Sequence, residues 1–233
     1  MLLDWQQVRD NLRNREGKRV FYLAKGDILT SQAKDFLSRE HIAVLPAEQA
    51  RPDSYRLLNG GTVTEKPEQY THLNAQVLVP KTHPRIAFRG AVDTLEAALI
   101  ACIPAVPKQR KPLEELLELA RKLIRCDVLE EPVGAVMIDG LDEAQQRQQS
   151  HFPQQYFGIP HFMPQPTDSS AVLALNWVRC MARQAELAAA AAFTDENNCP
   201  VRGDILQAMN RMSSMLYILM LREKAGQGDG NNG

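Results

Sequence analysis

Two arginines and a glutamate share one helical face in VRCMARQAE: Arg179, Arg183 and Glu186, at i, i+4 and i+7, among apolar neighbours such as Leu175 and Val178. Guanidinium forks one turn apart match phosphate oxygens two at a time, so the spacing fits a polyphosphate grip with Glu186 orienting one fork. A solvated stripe closed by an Arg183–Glu186 pair has the same spacing. A second cationic run, Lys81, Arg85 and Arg89 in KTHPRIAFRG, opens a predicted helix whose first N–H groups already favour anions. Its plain alternative is a solvated charged face. One turn further, Asp93 lies among Val92, Leu95 and Ala97, where a semi-buried carboxylate wants a cationic partner. The third cluster is Asn210, Arg211, Ser213 and Ser214, set inside VRGDILQAMNRMSSMLYILML. Apolar Leu206, Met209, Met212, Leu216 and Leu219 there mark one buried helical face. Asn and Ser compete with the helix backbone for hydrogen bonds, so in mid-helix they need partners, from the bundle or from a ligand.

The elements that position these residues fall into two textures. Up to about residue 70 the chain alternates: a helix over 2–15, a strand over 19–23, a helix over 30–39 capped by Thr30 and a strand over 42–45. Gly60-Gly61 fits a hairpin turn between 55–58 and 62–64. Residues 1–70 therefore read as a small α+β appendage. Beyond it strand signals largely vanish, and five helices are predicted at 84–102, 112–130, 140–156, 168–195 and 202–224. Asp168 or Ser169 can cap the fourth. Helices of this length joined by short connections form a bundle over 71–225, so the fold class is mainly α: a five-helix bundle with an N-terminal α+β appendage. HFPQQYFGIPHFMPQP (151–166) cannot be a single helix, with Pro153, Pro160, Pro164 and Pro166 among aromatics, and reads as an ordered loop facing a ligand or subunit. The Gly/Asn-rich tail, 226–233, reads as disordered.

Composition narrows the function. A formal net charge of −1 leaves no global footprint for nucleic acid or an anionic membrane, so any anion site is local. No apolar run is long enough to span a bilayer, and no signal peptide opens the chain, which reads as soluble and cytoplasmic. Cys102, Cys126, Cys180 and Cys199 form no CxxC pair, three of them lie in apolar helical patterns, and they read as reduced, buried thiols. There is no Walker-type loop, no nucleophile elbow and no helical metal-ligand pair; a ferritin-like metal bundle is discounted.

Four stretches in order resemble the ATP:cobalamin adenosyltransferases, most closely the ethanolamine-utilisation (EutT) type. THLNAQVLVPKTHPRIAFRGAVDTLEA (71–97) resembles that type's opening helix. HFMP (161–164) resembles a loop that reads Phe-x-Leu-Pro in the wider family. VRCMARQAE (178–186) resembles its Arg-x-x-x-Arg-x-Ala-Glu helix, and LQAMNRMSSMLY (206–217) its Asn-Arg-Leu-Ser closing helix. GDILTSQAKDFLSREHI (26–42) is similar to a segment that precedes the catalytic domain in EutT-type proteins.

The resemblance implies transfer of the 5′-deoxyadenosyl group of ATP to cob(I)alamin, giving adenosylcobalamin and triphosphate, with Mg²⁺. It implies a homo-oligomer, a trimer ahead of a dimer, with ATP bound between subunits, and a cytoplasmic location in which association with a microcompartment is open. Arg179 and Arg183 would then hold the triphosphate or pair with Asp93 of a neighbouring copy. Glu186, Asn210 and Ser214 would serve the nucleotide. His161 stands where relatives place the Phe that displaces the lower axial ligand of the corrin, with Phe162 beside it; a steric or hydrogen-bonding role for His161 is expected ahead of cobalt ligation. The family's Thr-Gly-Asp-x-Gly-x-Thr loop is absent, leaving Lys81, Arg85 and Arg89 as its substitutes. Gln184 and Leu187 replace two arginines of the family helix. Nothing over 53–70 matches the Cys-Cys-x-x-Cys cluster of some EutT-type proteins, so no transition-metal requirement is expected. The alternative is a non-catalytic nucleotide- or corrinoid-binding partner of a cobalamin-dependent lyase or microcompartment.

Overall fold

The computed structural model describes residues 1–15, 17–47 and 54–228. They form two compact units, Met1–His83 with Asp127–Glu131, and Pro84–Cys126 with the chain from Pro132 onward.

The first unit is built from short elements: β1 (Leu2–Leu3), α1 (Trp5–Asp10), β2 (Arg13–Arg15), β3 (Lys18–Leu23), β4 (Ile28–Leu29), α2 (Ser31–Arg39), β5 (Ala43–Pro46), β6 (Tyr55–Leu57), β7 (Thr62–Val63), β8 (Tyr70–His72) and β9 (Val77–Pro80). The helix expected over 2–15 shrinks to α1, because Asp4 and Gln7 close a reciprocal capping box and start the helix there. Thr30 caps α2 as expected, its hydroxyl accepting from the Ala33 N–H at 3.2 Å. β3 and β5 pair in parallel, Val20 opposite Ala43 and Leu23 opposite Pro46, with α2 as the crossover between them. β6 and β7 make the Gly60-Gly61 hairpin, and the four-stranded sheet has the order β7-β6-β9-β8. Leu3, Val8, Leu12, Phe21, Ala33, Leu37, Ile42 and Leu129 form a buried core cluster of this unit. Strand signals thus continue past residue 70: β9 pairs with β6 and β8 with β9, so this unit runs to His83.

The second unit is helical: α3 (Pro84–Ala105), α4 (Arg110–Leu129, to Cys126 here), α5 (Glu143–His151), α6 (Pro153–Phe157), α7 (Ser170–Phe193) and α8 (Gly203–Gly228). α7 lies between α3 and α8, and α5 packs on α8. Leu95, Leu99, Leu116, Leu123, Leu175, Met209, Met212 and Leu216 are fully buried in one continuous core. Phe88 of α3 meets Phe193 of α7 edge-on, centroids 5.2 Å apart, and Arg121 of α4 pairs with Glu96 of α3 at 3.1 Å. The third helix, expected over 140–156, is broken at Phe152. Pro153 has no N–H to donate and disfavours helical backbone in the residue before it, and Phe152 accordingly takes φ −124°, ψ 57°. The loop expected over 151–166 therefore begins with a short helix, closed by Gly158 at φ 70°. Ser169, not Asp168, caps α7. Residues 226–228, assigned to the tail, continue α8; 229–233 lie outside the described residues. No helix is long and apolar enough to cross a membrane among the described residues.

Candidate functional site

A cleft of about 800 Å³ opens on the second unit between α7, α8 and the loop after α6. α7 contributes Asn176, Arg179, Arg183 and Glu186; α8 contributes Asn210, Ser213, Ser214 and Tyr217; the loop contributes His161 and Phe162. The 3.6-residue period produces this grouping, since 176, 179, 183 and 186 share one face of α7 and 210, 213, 214 and 217 one face of α8.

At one end the cations are open-handed. The Arg179 guanidinium lies 5.2 Å from the centre of the Tyr217 ring, and its buried Nε has no hydrogen-bond partner among the described residues. Arg183 is exposed, and no ion pair joins it to Glu186 among the described residues. Glu186 instead accepts from Asn210 Nδ2 at 2.7 Å. The Asn210 carbonyl oxygen in turn accepts from Arg211, whose other arm reaches the Glu143 carbonyl at 3.4 Å. Asn210 is thus pinned from both sides, which fixes which end of its amide faces the cleft. Burial, then the like charge of Arg147, lower the pKa of Arg211. The Ser214 hydroxyl donates to the Asn210 backbone carbonyl at 3.1 Å, the back-bonding that mid-helix serine adopts.

The other end is aromatic and already bonded. His161 Nδ1 lies 3.1 Å from the Tyr217 hydroxyl and Nε2 lies 3.2 Å from the His151 carbonyl oxygen. The Phe162 N–H donates to the same Tyr217 oxygen at 3.3 Å. The imidazole and phenol rings stack, 5.8 Å apart and 10° from parallel. Lys224 sits 5.8 Å over the Phe162 ring and pairs with Asp168. Its hydrogen bond, with that of the Gln165 N–H, holds the Asp168 carboxyl below the usual carboxylate range.

Of the residues singled out from the sequence, Arg179, Arg183, Glu186, Asn210, Ser214, His161 and Phe162 line this one cleft. Lys81, Arg85, Arg89 and Asp93 do not. Lys81 belongs to the first unit, and Arg85 and Arg89 are half-buried on the first turns of α3. Asp93 is exposed, not semi-buried: Val92 and Leu95 turn inward and leave it on the outer face with Gly90, Ala97 and Ile100. Cys102 and Cys126 are buried as expected, whereas Cys180 and Cys199 are exposed. Tyr217 and Asn176 carry no chemical signal of their own in the sequence; the i+7 spacing of Tyr217 from Asn210 is the one cue available.

A helical bundle with a cationic patch and an aromatic wall in one cleft defines a protein that binds a polyanion beside a large flat or apolar group. Residues 62–223 match the family described as cobalamin adenosyltransferase, and the chain belongs to that family, making it a corrinoid adenosyltransferase. It is 28% identical to the corrinoid adenosyltransferase EutT of Escherichia coli strain K12, over 92% of this chain and 89% of that protein. It is 33% identical to the EutT of Salmonella typhimurium over 68% of this chain and 60% of that protein. The fold resembles a phenylalanine-to-histidine variant of a PduO-type ATP:corrinoid adenosyltransferase from Lactobacillus reuteri, solved with cobalamin and ATP. The TM-score is 0.52 at 17% identity, covering 69% of this chain and 89% of that one.

Proposed function

We propose that the α7–α8 cleft holds ATP and a corrinoid together and transfers the 5′-deoxyadenosyl group from the triphosphate to cob(I)alamin. The observation that carries this is the convergence of Arg179, Arg183, Glu186 and Asn210 with His161 and Phe162 in one cleft. Reduced cobalt is the nucleophile and attacks the ribose C5′ as triphosphate leaves, so the hard chemistry is the substrate's own. The protein's share is alignment and charge. In-line positioning contributes up to roughly 7–11 kcal/mol. The unused Arg179 Nε and the unpaired Arg183 stabilise charge as it grows on the leaving triphosphate.

A Mg²⁺ ion fits this donor set as a companion of the nucleotide. Glu186 offers one carboxylate, while no group of three acidic, His or Cys residues suited to a metal occurs among the described residues. Mg²⁺ characteristically takes one or two protein carboxylates and completes its shell with phosphate oxygens and water. When bound, it would neutralise triphosphate charge.

The reading includes a homo-oligomer. α7 carries an outward stripe, Leu173, Trp177, Cys180, Gln184, Leu187 and Ala191, at helical spacing, with Trp177 62% and Leu187 71% exposed. On α3, Ile100 is 51% exposed on the face that carries Asp93. Apolar helix faces of this kind are self-association surfaces, and an Asp93 outside its own cleft suits a role in a neighbour's. The EutT relatives favour service in ethanolamine utilisation, with association with a microcompartment part of the same reading. Incubation with ATP and chemically reduced cobalamin, followed by the absorbance of adenosylcobalamin, tests the activity. Product formation supports an enzyme over a non-catalytic binding partner, and tight binding of both substrates without product refutes it.

A further inference from the structure

We infer that Tyr217 is a positioning residue that withholds the His161 imidazole from cobalt. The inference rests on the proposed function, with the corrin seated at the His161 end of the cleft. Its basis is the direction of three hydrogen bonds. The His151 carbonyl can only accept, so the proton of His161 lies on Nε2 and points to it at 3.2 Å. Nδ1 of that neutral tautomer carries the ring's one lone pair, and the Tyr217 hydroxyl lies 3.1 Å from it with a proton to give. The phenol oxygen meanwhile accepts from the Phe162 N–H at 3.3 Å. Donor and acceptor directions agree all the way along this chain, and it leaves neither imidazole nitrogen able to bind a metal.

Two further features hold the arrangement. The His161 and Tyr217 rings stack 10° from parallel, and the Tyr217 ring packs against the bundle core beneath the Arg179 guanidinium. Tyr217 stands on a continuous helix, so the hydroxyl is delivered by the rigid part of the cleft to its loop. The chemical consequence is specific. A nitrogen ligand below cobalt raises the energy of the orbital that must accept the electron, so Co(II) with an axial imidazole is harder to reduce to Co(I). Histidine in place of an inert aromatic is compatible with this chemistry only if its lone pair is engaged elsewhere. Here Tyr217 engages it, and His161 acts as a flat wall.

Electron paramagnetic resonance of bound cob(II)inamide with ATP tests this, because cob(II)inamide lacks the nucleotide base that would supply its own nitrogen. The native protein is expected to shift the cobalt spectrum with no nitrogen triplet on its lines. Tyr217→Phe keeps the ring, its stack and its contact with Arg179, and removes only the hydroxyl. It is expected to produce the triplet, and Tyr217→Phe combined with His161→Phe to abolish it. A triplet in the native protein, or none in Tyr217→Phe with native-like circular dichroism and a shifted cobalt spectrum, overturns the role of Tyr217. A native protein that leaves the free cob(II)inamide spectrum unchanged overturns the placement of the corrin instead.

Discussion

The two ends of the cleft are built on opposite plans. At the His161 end the imidazole, the phenol and the Phe162 N–H are linked in one directed chain before any ligand arrives. Among the arginines donors are held in reserve: Arg179 Nε, beside the Tyr217 ring, is buried without a partner among the described residues, and Arg183 makes no ion pair among them. A buried donor left unsatisfied is unfavourable by about 1–3 kcal/mol, and a ligand that satisfies it recovers that free energy on binding. A saturated wall shapes a substrate without bonding to it, whereas a reserve of donors is released where new charge appears. The lesson is that burial alone does not mark an active site; the unsatisfied part of a bonded framework does.

The largest test of this contrast is Arg183→Ala. Turnover is expected to fall on the order of 10²–10³-fold while corrinoid affinity stays within about twofold, because the group acts on developing charge. Equal losses in turnover and corrinoid affinity, read from steady-state kinetics and a binding titration, erase the distinction between the ends. Next comes Asn210→Ala, which strips partners from Glu186 and Arg211 together. It is expected to raise the KM for ATP and lower unfolding free energy by about 1 kcal/mol in denaturant titrations. An unchanged stability would show that Asn210 is held more loosely than its contacts indicate.

Asp204 supplies a fully bonded reference away from the cleft. Arg202 first, then the Val133 N–H, lower its carboxyl from 3.8 to about 2 against the opposing effect of burial. A depressed folded value means the unfolded chain takes up the proton first as pH falls. The stabilisation is whole above about pH 5, shrinks below 3.8 and is gone once pH passes below about 2. It amounts to about 1–2 kcal/mol after allowance for solvent screening. Asp204→Asn should flatten the acid limb of a stability-versus-pH curve over that window, and an identical limb in the variant refutes the assignment. The smallest effect is on thiol labelling. Burial pushes the Cys102 thiol up to about 11, so a thiol reagent at pH 8 should modify Cys180 and Cys199 and leave Cys102. Labelling of Cys180, on the outward stripe of α7, should slow relative to Cys199 as protein concentration rises; equal rates at all concentrations count against that stripe as an association surface.

Local signals were legible and long-range ones were not. The Thr30 cap, the Gly60-Gly61 hairpin and the apolar face of α8 depend on residues a few positions apart, and they form where the sequence places them. β8 and β9 escaped notice because each is too short to establish a period, and β9 owes its place to pairing with β6 about twenty residues upstream. Asp93 misled because apolar neighbours in sequence say nothing about which face of α3 meets α7. Cys180 misled in the same way. Part of the cleft's lining was readable because helical spacing alone gathers Arg179, Arg183 and Glu186, and it gathers Asn210 and Ser214 likewise. Tyr217 was invisible: an aromatic residue in an apolar helix reads as core, and its bonding partners lie 55 and 56 residues away.

Asn210, Ser214, Tyr217 and Lys224 all ride on α8, an unbroken helix of 26 residues. At 1.5 Å of rise per residue, the Cα atoms of Asn210 and Tyr217 stand about 10 Å apart along the axis. That distance is a ruler with no joint in it. Under the proposed function the seats of nucleotide and corrin are fixed to one rigid element, so the length of the nucleotide, and not a motion of the bundle, sets whether carbon and cobalt meet.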